Sequence, residues 1–530
     1  NGDGEIKIEG KETNVAGFKK LFVHSNEVAT INSKGTVEVK GESGTSHTNV
    51  AEERAPATTN EIIGECIVEF RPRTPNYGKF GFDFMRIGDN AGSGVHDTTY
   101  LGNMGTYPQN DYNNAFTADA SPYNKFKELI TNEFNPRDIS TPEFKKTDIR
   151  ETYAIPWLSL YRVPAGRLLV DGTPDPEADS CIAATLKLLV EVKTEPDDLR
   201  LEFDDRYFTI TGVGGATTKA EAAKPNLSYF SIPGKSVTVS GGKPPHTMNI
   251  EINCIKEFPN LMSIKALAVT KDATTNAITE TLAGKLLIKP NNKANRKYQK
   301  IVLVNVQTSL APAGGIITGQ EEVLKHALRQ ALIDPRIKST PLRLSTDTSF
   351  NLYKHPDPAD PTNESKKRIK GYYGYDYTNR RQNRYKPANW KDLYQYLNEK
   401  LVAQEGNQYN SYIKVYFFGS IGGYIKIDGN FFKWGGYSQP GEKTTILFDG
   451  YDINATTAHE VLHSMGLEHT FESKNIIRTG MTTTDAPNGK YTFKKGVTDN
   501  ILDYASDRKS LMEWQWEIIR RTGGTTEPEP

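Results

Sequence analysis

The segment Ala458-His459-Glu460-Val461-Leu462-His463-Ser464-Met465-Gly466-Leu467-Glu468-His469 holds three of the chain's nine histidines. Histidines at i and i+4 project from one face of a helix, and a glutamate beside the first reaches a water held on their shared metal. Gly466 lets the helix break, so His469 can return from the following turn as a third ligand. Three neutral imidazoles leave the fourth position of Zn²⁺ open for water, which catalytic rather than structural zinc sites require. His459, His463 and His469 are therefore the expected metal ligands, Zn²⁺ the expected cofactor and Glu460 the expected general base. Two plainer readings compete: a surface helix that carries histidines by chance, and a non-catalytic relative that keeps the residues. Val461, Leu462 and Met465 favour a helix packed into a core with its histidines facing a cleft.

The string HExxHxxGxxH formed by His459 to His469 resembles the signature of the metzincin zinc proteases. Metzincins place a tight turn with Met beneath the metal, some tens of residues downstream. Thr498-Asp499-Asn500-Ile501-Leu502-Asp503-Tyr504 is similar to that turn, with Leu502 where the family has Met. The resemblance implies that the Tyr504 hydroxyl stabilises a tetrahedral intermediate near zinc; a core tyrosine is the alternative. It also implies a closing helix over Leu511 to Ile519. Thr444 to Phe448 stands in the place of the edge strand that pairs with extended substrate by β-augmentation. The implied activity is that of a zinc metalloendopeptidase. Zinc polarises the scissile carbonyl and acidifies water, while Glu460 passes a proton to the leaving amine.

A second likeness concerns delivery. Val68-Glu69-Phe70-Arg71-Pro72, Phe80-Gly81-Phe82-Asp83 and Ile155-Pro156-Trp157-Leu158-Ser159-Leu160, with the C-terminal TDNILDY segment, resemble effector proteins associated with type VI secretion in Bacteroidetes. Residues 23–37 are faintly similar to contractile-injection spike tips. That likeness implies a toxin secreted or injected into a target cell, with a secretion-spike component and an immunity protein as partners beside the protein or peptide substrate. A scavenging or host-directed secreted protease would share the zinc site. A non-catalytic spike-tip or adhesive protein would use the β segments instead and keep a vestigial site.

Positioning such a site needs a core, and 530 residues allow several. Lys and Arg balance Asp and Glu at 65 each, so no overall basic field favours nucleic acid or anionic lipid. No apolar run approaches the ~20 residues that cross a bilayer. Residues 1–20 are polar and carry no secretory signal pattern. Three cysteines allow at most one disulfide, with Cys181 and Cys254 open as partners.

The expected fold class is multidomain: β-rich N-terminal modules that include an immunoglobulin-like β-sandwich, then a C-terminal α/β metzincin-like catalytic domain. Residues 1–58 read as a polar β-repeat or linker, and 59–178 as a mixed, β-rich delivery or binding module. Short strands at close intervals over 179–292 predict the sandwich. Residues 297–524 form the protease domain, and 525–530 a disordered tail. Within the protease domain, Thr318 and Glu321 read as a capping box opening a helix. Strands follow at Lys300–Val306, Ile413–Phe418 and Thr444–Phe448, with a helix at Trp390–Val402. Gly422-Gly423 and Gly435-Gly436 read as turns, and His326 and His355 as structural. Lys366 to Lys386 interleaves basic residues with tyrosines, either a solvated loop or a surface for an acidic partner or single-stranded nucleic acid.

Overall fold

Between Ile301 and Val306 the chain buries both faces of an extended segment, the mark of a strand inside a parallel sheet covered on both sides. The computed structural model describes residues 62–521 and 527–528, apart from the intervals 63–65, 89–98, 108–115, 140–151, 170–171, 213–217, 221–225, 234–245, 309–310, 348–352, 356–367, 371–372, 376–383, 388–389, 426–430, 439–440, 451, 453–454, 472–490 and 506. The chain divides into two units, 1–49 and 50–530, and the described residues belong to the second. The segment 1–58 lies outside them.

The N-terminal half is β-rich. Strands β1 (Cys66–Pro72), β2 (Gly81–Asp83), β3 (Trp157–Ser159), β4 (Ala184–Val192), β5 (Asp198–Asp204), β6 (Phe208–Gly212), β7 (Thr218–Ala220), β8 (Leu227–Pro233), β9 (His246–Cys254), β10 (Met262–Lys271) and β11 (Ile278–Ile288) form two sheets. One has the order β1-β4-β9-β6, the other β7-β8-β5-β10-β11-β3-β2. Val68, Phe70, Leu186, Leu188 and Ile250 of the first sheet share one apolar core with Phe82, Leu158, Leu201, Phe230 and Ile264 of the second. The boundary expected at 178/179 is corrected by this pairing. Strand β1 runs antiparallel to β4 over Cys66–Pro72, and β3 runs parallel to β11, so the strands over 179–292 do not close a module by themselves. Residues before 178 supply the strands that pair with β4 and β11.

The C-terminal half opens with β12 (Lys297–Gln307), α2 (Gln320–Arg329; α1 is Pro122–Glu133) and β13 (Ile333–Arg343). Helix α3 (Trp390–Glu405), β14 (Ile413–Phe418), β15 (Gly436–Ser438), β16 (Thr444–Leu447), α4 (Thr456–Ser464) and α5 (Glu513–Arg521) follow. The sheet order is β13-β12-β14-β16-β15; the first four strands are parallel and β15 is antiparallel. Ile301 and Leu303 face one core with α2 and α4, while Val302, Val304 and Val306 face another with Leu393, Leu397 and Leu401 of α3. Period-two alternation thus splits the strand between two helical layers.

Several expectations change here. Strand β13 carries Pro335 and Pro341, which argue against a strand in the sequence; at the sheet edge their missing N–H groups are tolerated. Thr318 does not cap α2, because Gly319 at φ +80° takes the N-cap place. Thr444–Leu447 is not the edge strand: it is paired on both sides and fully buried, and β15 is the edge. Gly422-Gly423 lies in the strand Ile421–Ile425, and Gly436 opens β15, so neither pair is a turn. The 525–530 tail is not wholly without structure, since Glu527–Pro528 pairs with Lys297–Tyr298. Strand β14 begins its pairing only at Ile301, which leaves that end of β12 open on one side. Parts of the basic and tyrosine-rich stretch, Arg368–Lys370, Tyr373–Tyr375 and Arg384–Pro387, are strands of a separate sheet; the rest of it lies outside the described residues.

The segment 59–178 also enters the core of the C-terminal half. Ile62, Met85, Tyr100, Met104, Phe126 and Leu129 pack in one cluster with Ile301, Leu324, Val461, Leu502 and Trp516. At the joint Pro290-Asn291-Asn292, the Asn291 side chain is buried. Asn291 donates to the Leu160 carbonyl at 2.9 Å and accepts from the Phe258 amide at 3.0 Å. Cys66, Cys181 and Cys254 are free thiols.

Candidate metal centre

Helix α4 is buried over its whole length, with Ala458, Val461 and Leu462 in the core. It ends at Ser464, and Gly466 at φ +95° turns the chain back, which a residue with a Cβ adopts only with strain. The Gly466 and Leu467 amides bond back to the His463 and Leu462 carbonyls at 2.8 and 3.1 Å. His469 is thereby carried alongside α4. The three Nε2 atoms of His459, His463 and His469 lie 3.1–3.2 Å from one another.

The opposite ring nitrogens fix the tautomers. His459 Nδ1 lies 2.8 Å from the Ile501 carbonyl, and His463 Nδ1 lies 2.7 Å from the Leu467 carbonyl. A carbonyl only accepts, so each Nδ1 carries the proton and each Nε2 presents a lone pair to the centre of the triangle. Two such lone pairs 3.2 Å apart, without a proton between them, repel unless a cation lies there. Burial and the neighbouring imidazoles hold His459 well below the usual histidine range, so it stays neutral as a ligand must. Among the described residues this triad is a group that can hold a metal ion.

Glu460 is buried next to the triad, and burial pushes its carboxyl up to about 8; the Arg508 charge and the Ser438 amide oppose that rise. Its room comes from Gly436: a Cβ there would stand 2.7 Å from Glu460 Cγ and 3.0 Å from Oε1. Helix and edge strand are tied by buried hydroxyls, with Ser464 Oγ 2.8 Å from both Ser438 Oγ and Thr445 Oγ1. Thr457 Oγ1 donates to Gln320 Oε1, which fixes the other side of α4 to α2.

The turn at 498–504 lies against the triad, as its Ile501 carbonyl shows. Asp503 gathers it, accepting from the Gly496, Thr498 and Tyr504 amides and the Thr498 hydroxyl at 2.6–2.8 Å. Leu502 is fully buried in the same core as Met465. Tyr504 is half exposed, with its hydroxyl 3.0 Å from His469 Nε2, so it is not a core tyrosine. His326 sits on α2, away from this group, within reach of Glu322 at 3.9 Å.

Gly436 and Ser438 of the edge strand shape the place of Glu460. Asp499, at the start of the turn, receives Arg86 Nη2 at 2.7 Å and the Tyr77 hydroxyl, both from the segment before 178. No protein-family model matches the chain, and no curated protein matches it.

Proposed function

We propose that the chain is a zinc-dependent metalloendopeptidase of the metzincin kind. The observation that carries the reading is the triangle of three imidazole Nε2 atoms beside a buried carboxyl group and a tyrosine hydroxyl. For ligand nitrogens at about 2.0–2.1 Å from Zn²⁺, a tetrahedral face has edges of roughly 3.3–3.4 Å, close to the edges found here. Three nitrogen donors and no thiolate suit zinc with an open position.

His459, His463 and His469 would hold the ion, their rings set by the Ile501 and Leu467 carbonyls and by the turn that returns His469. When bound, the ion supplies Lewis acidity toward a carbonyl oxygen and toward water. Glu460 takes the proton of the attacking water and returns it to the leaving amine. A carboxyl whose pKa burial has raised is better matched to both transfers near neutral pH than an ordinary one. Tyr504 donates its hydroxyl to the oxyanion that develops on the former carbonyl oxygen. Strand β15, last in the sheet order and beside Glu460, would offer backbone groups to an extended peptide.

The likeness of the N-terminal segments to type VI effectors supports delivery into another cell as the setting for this activity. A neighbouring gene whose product binds and inhibits the enzyme tests that setting. The site reading is tested by metal content. One zinc per chain is expected by elemental analysis, falling below 0.1 in His463→Ala while the variant stays folded by circular dichroism; full retention in the variant contradicts it.

A further inference from the structure

Two cations flank the triad. Lys495 is half-buried, with Nζ 4.9 Å from the centre of the Tyr504 ring and 5.5 Å from that of Phe471, and those rings pack against His469. Among the described residues no carboxylate pairs with it. A lysine over a ring face keeps its ammonium desolvated on one side and open on the other. Arg508, four residues beyond Tyr504, is the second cation. Its Nη1 donates to the Asp503 carbonyl at 3.4 Å and its Nη2 meets Asp452 at 3.1 Å, while Nε is buried without a partner. The guanidinium lies close enough for its charge to act on both His459 and Glu460.

The acids nearby do not offset both. Asp503 spends its carboxylate on the turn amides, Glu468 is buried, and Asp452 is committed to Arg508. Glu460 alone faces the reacting position. A substrate side chain that reaches Lys495 therefore meets a positive charge with which no described carboxylate pairs, whereas Arg508 is paired with Asp452.

From this geometry we infer that the site selects acidic peptides, with Lys495 the specificity-determining residue. The inference rests on the peptidase reading. An aspartate or glutamate beside the scissile bond gains a partly desolvated ion pair with Lys495, and a lysine or arginine there is repelled. Lys495 is not placed in proton transfer. Its loss should move discrimination between substrates, not the chemical step.

The probes are three short peptide hydroxamates, which chelate a divalent ion without being cleaved, bearing Glu, Gln or Lys next to the chelating group. Affinity for the full chain is measured on samples whose zinc content is determined in parallel. The glutamate probe should bind roughly five- to tenfold more tightly than the glutamine probe, and the lysine probe more weakly than either. In Lys495→Gln the glutamate and glutamine probes should become equal while the glutamine affinity stays unchanged, and high salt should shrink the wild-type difference. Equal binding of all three probes to zinc-loaded protein, or an equal loss for every probe in Lys495→Gln, overturns the inference and leaves the peptidase reading standing. Absence of zinc from the protein overturns the peptidase reading itself, and the inference with it.

Discussion

At His459 and His463 the proton on Nδ1 decides what Nε2 can do. Each is spent on a backbone carbonyl, so both Nε2 atoms reach the centre as bare donors, and that assignment follows from the contacts alone. The grouping of the three histidines was legible in the sequence because two histidines at helical spacing plus a glycine break encode it locally. The room for Glu460 was not, because it is made by Gly436 on another strand, and a Gly-Gly pair in isolation reads as a turn. Gly436→Ala puts a methyl group 2.7 Å from Glu460 Cγ and Leu447 Cδ2, so the carboxylate must move. A displacement of this size is expected to cost on the order of 10²-fold in kcat. Zinc content should stay at the wild-type level, since the ligands are untouched. Elemental analysis beside a peptide-cleavage assay checks both.

At the scale of elements, the turn at 498–504 links the metal site to the β-rich half. Arg86 is fully buried, stacks over Phe84 and pairs with Asp499 at 2.7 Å. Replacing one member of a buried pair strands the other, at a cost of about 3–5 kcal/mol. Arg86→Met should therefore destabilise the chain by that order in denaturant unfolding. It should also weaken zinc affinity, because Asp499 sits two residues from the Ile501 carbonyl that orients His459. Unchanged zinc competition in a folded Arg86→Met protein would separate the turn from the site.

Next to this pair, burial raises the Asp83 carboxyl from 3.8 to about 7, with Arg86 and the Glu513 amide pulling the other way. The folded value lies above the unfolded one, so this group's contribution to stability is complete below about pH 4 and is lost as pH rises through 7. Asp83→Asn cannot ionise and should show a smaller fall in stability between about pH 4 and 8, as read by unfolding at each pH. The strand at 413–418 was legible as a short apolar run and the helix at 456–464 from its histidine spacing. Strand β13 was not, since its prolines contradict local propensity and only its edge position accommodates them.

For the whole molecule, the sequence suggests modules in series, whereas the structure interleaves them. Composition shifts mark loops, and loops punctuate this chain without separating its cores. Residues from 62 to 129 pack in the same cluster as α4 and α5, so the polypeptide 297–530 alone would expose a large part of that core. It is expected to be insoluble or unfolded by circular dichroism and to bind no zinc stoichiometrically. A soluble, zinc-loaded fragment would show that the β-rich half is dispensable. Metal removal acts at the same scale. A ligand that binds only the folded state at 1,000 times its Kd stabilises by about 4 kcal/mol, so chelation should lower the Tm of wild type and leave His463→Ala unmoved.

The most direct test of a metal-dependent peptidase is cleavage of an unfolded protein mixture by the wild type and by Glu460→Ala, each with its zinc content measured. One zinc per chain in both is predicted, with cleavage by the wild type and a loss of at least about 10²-fold in the variant. Equal cleavage by the two proteins would contradict the role of Glu460, and zinc-loaded wild type that cleaves nothing in the mixture would contradict the general peptidase reading.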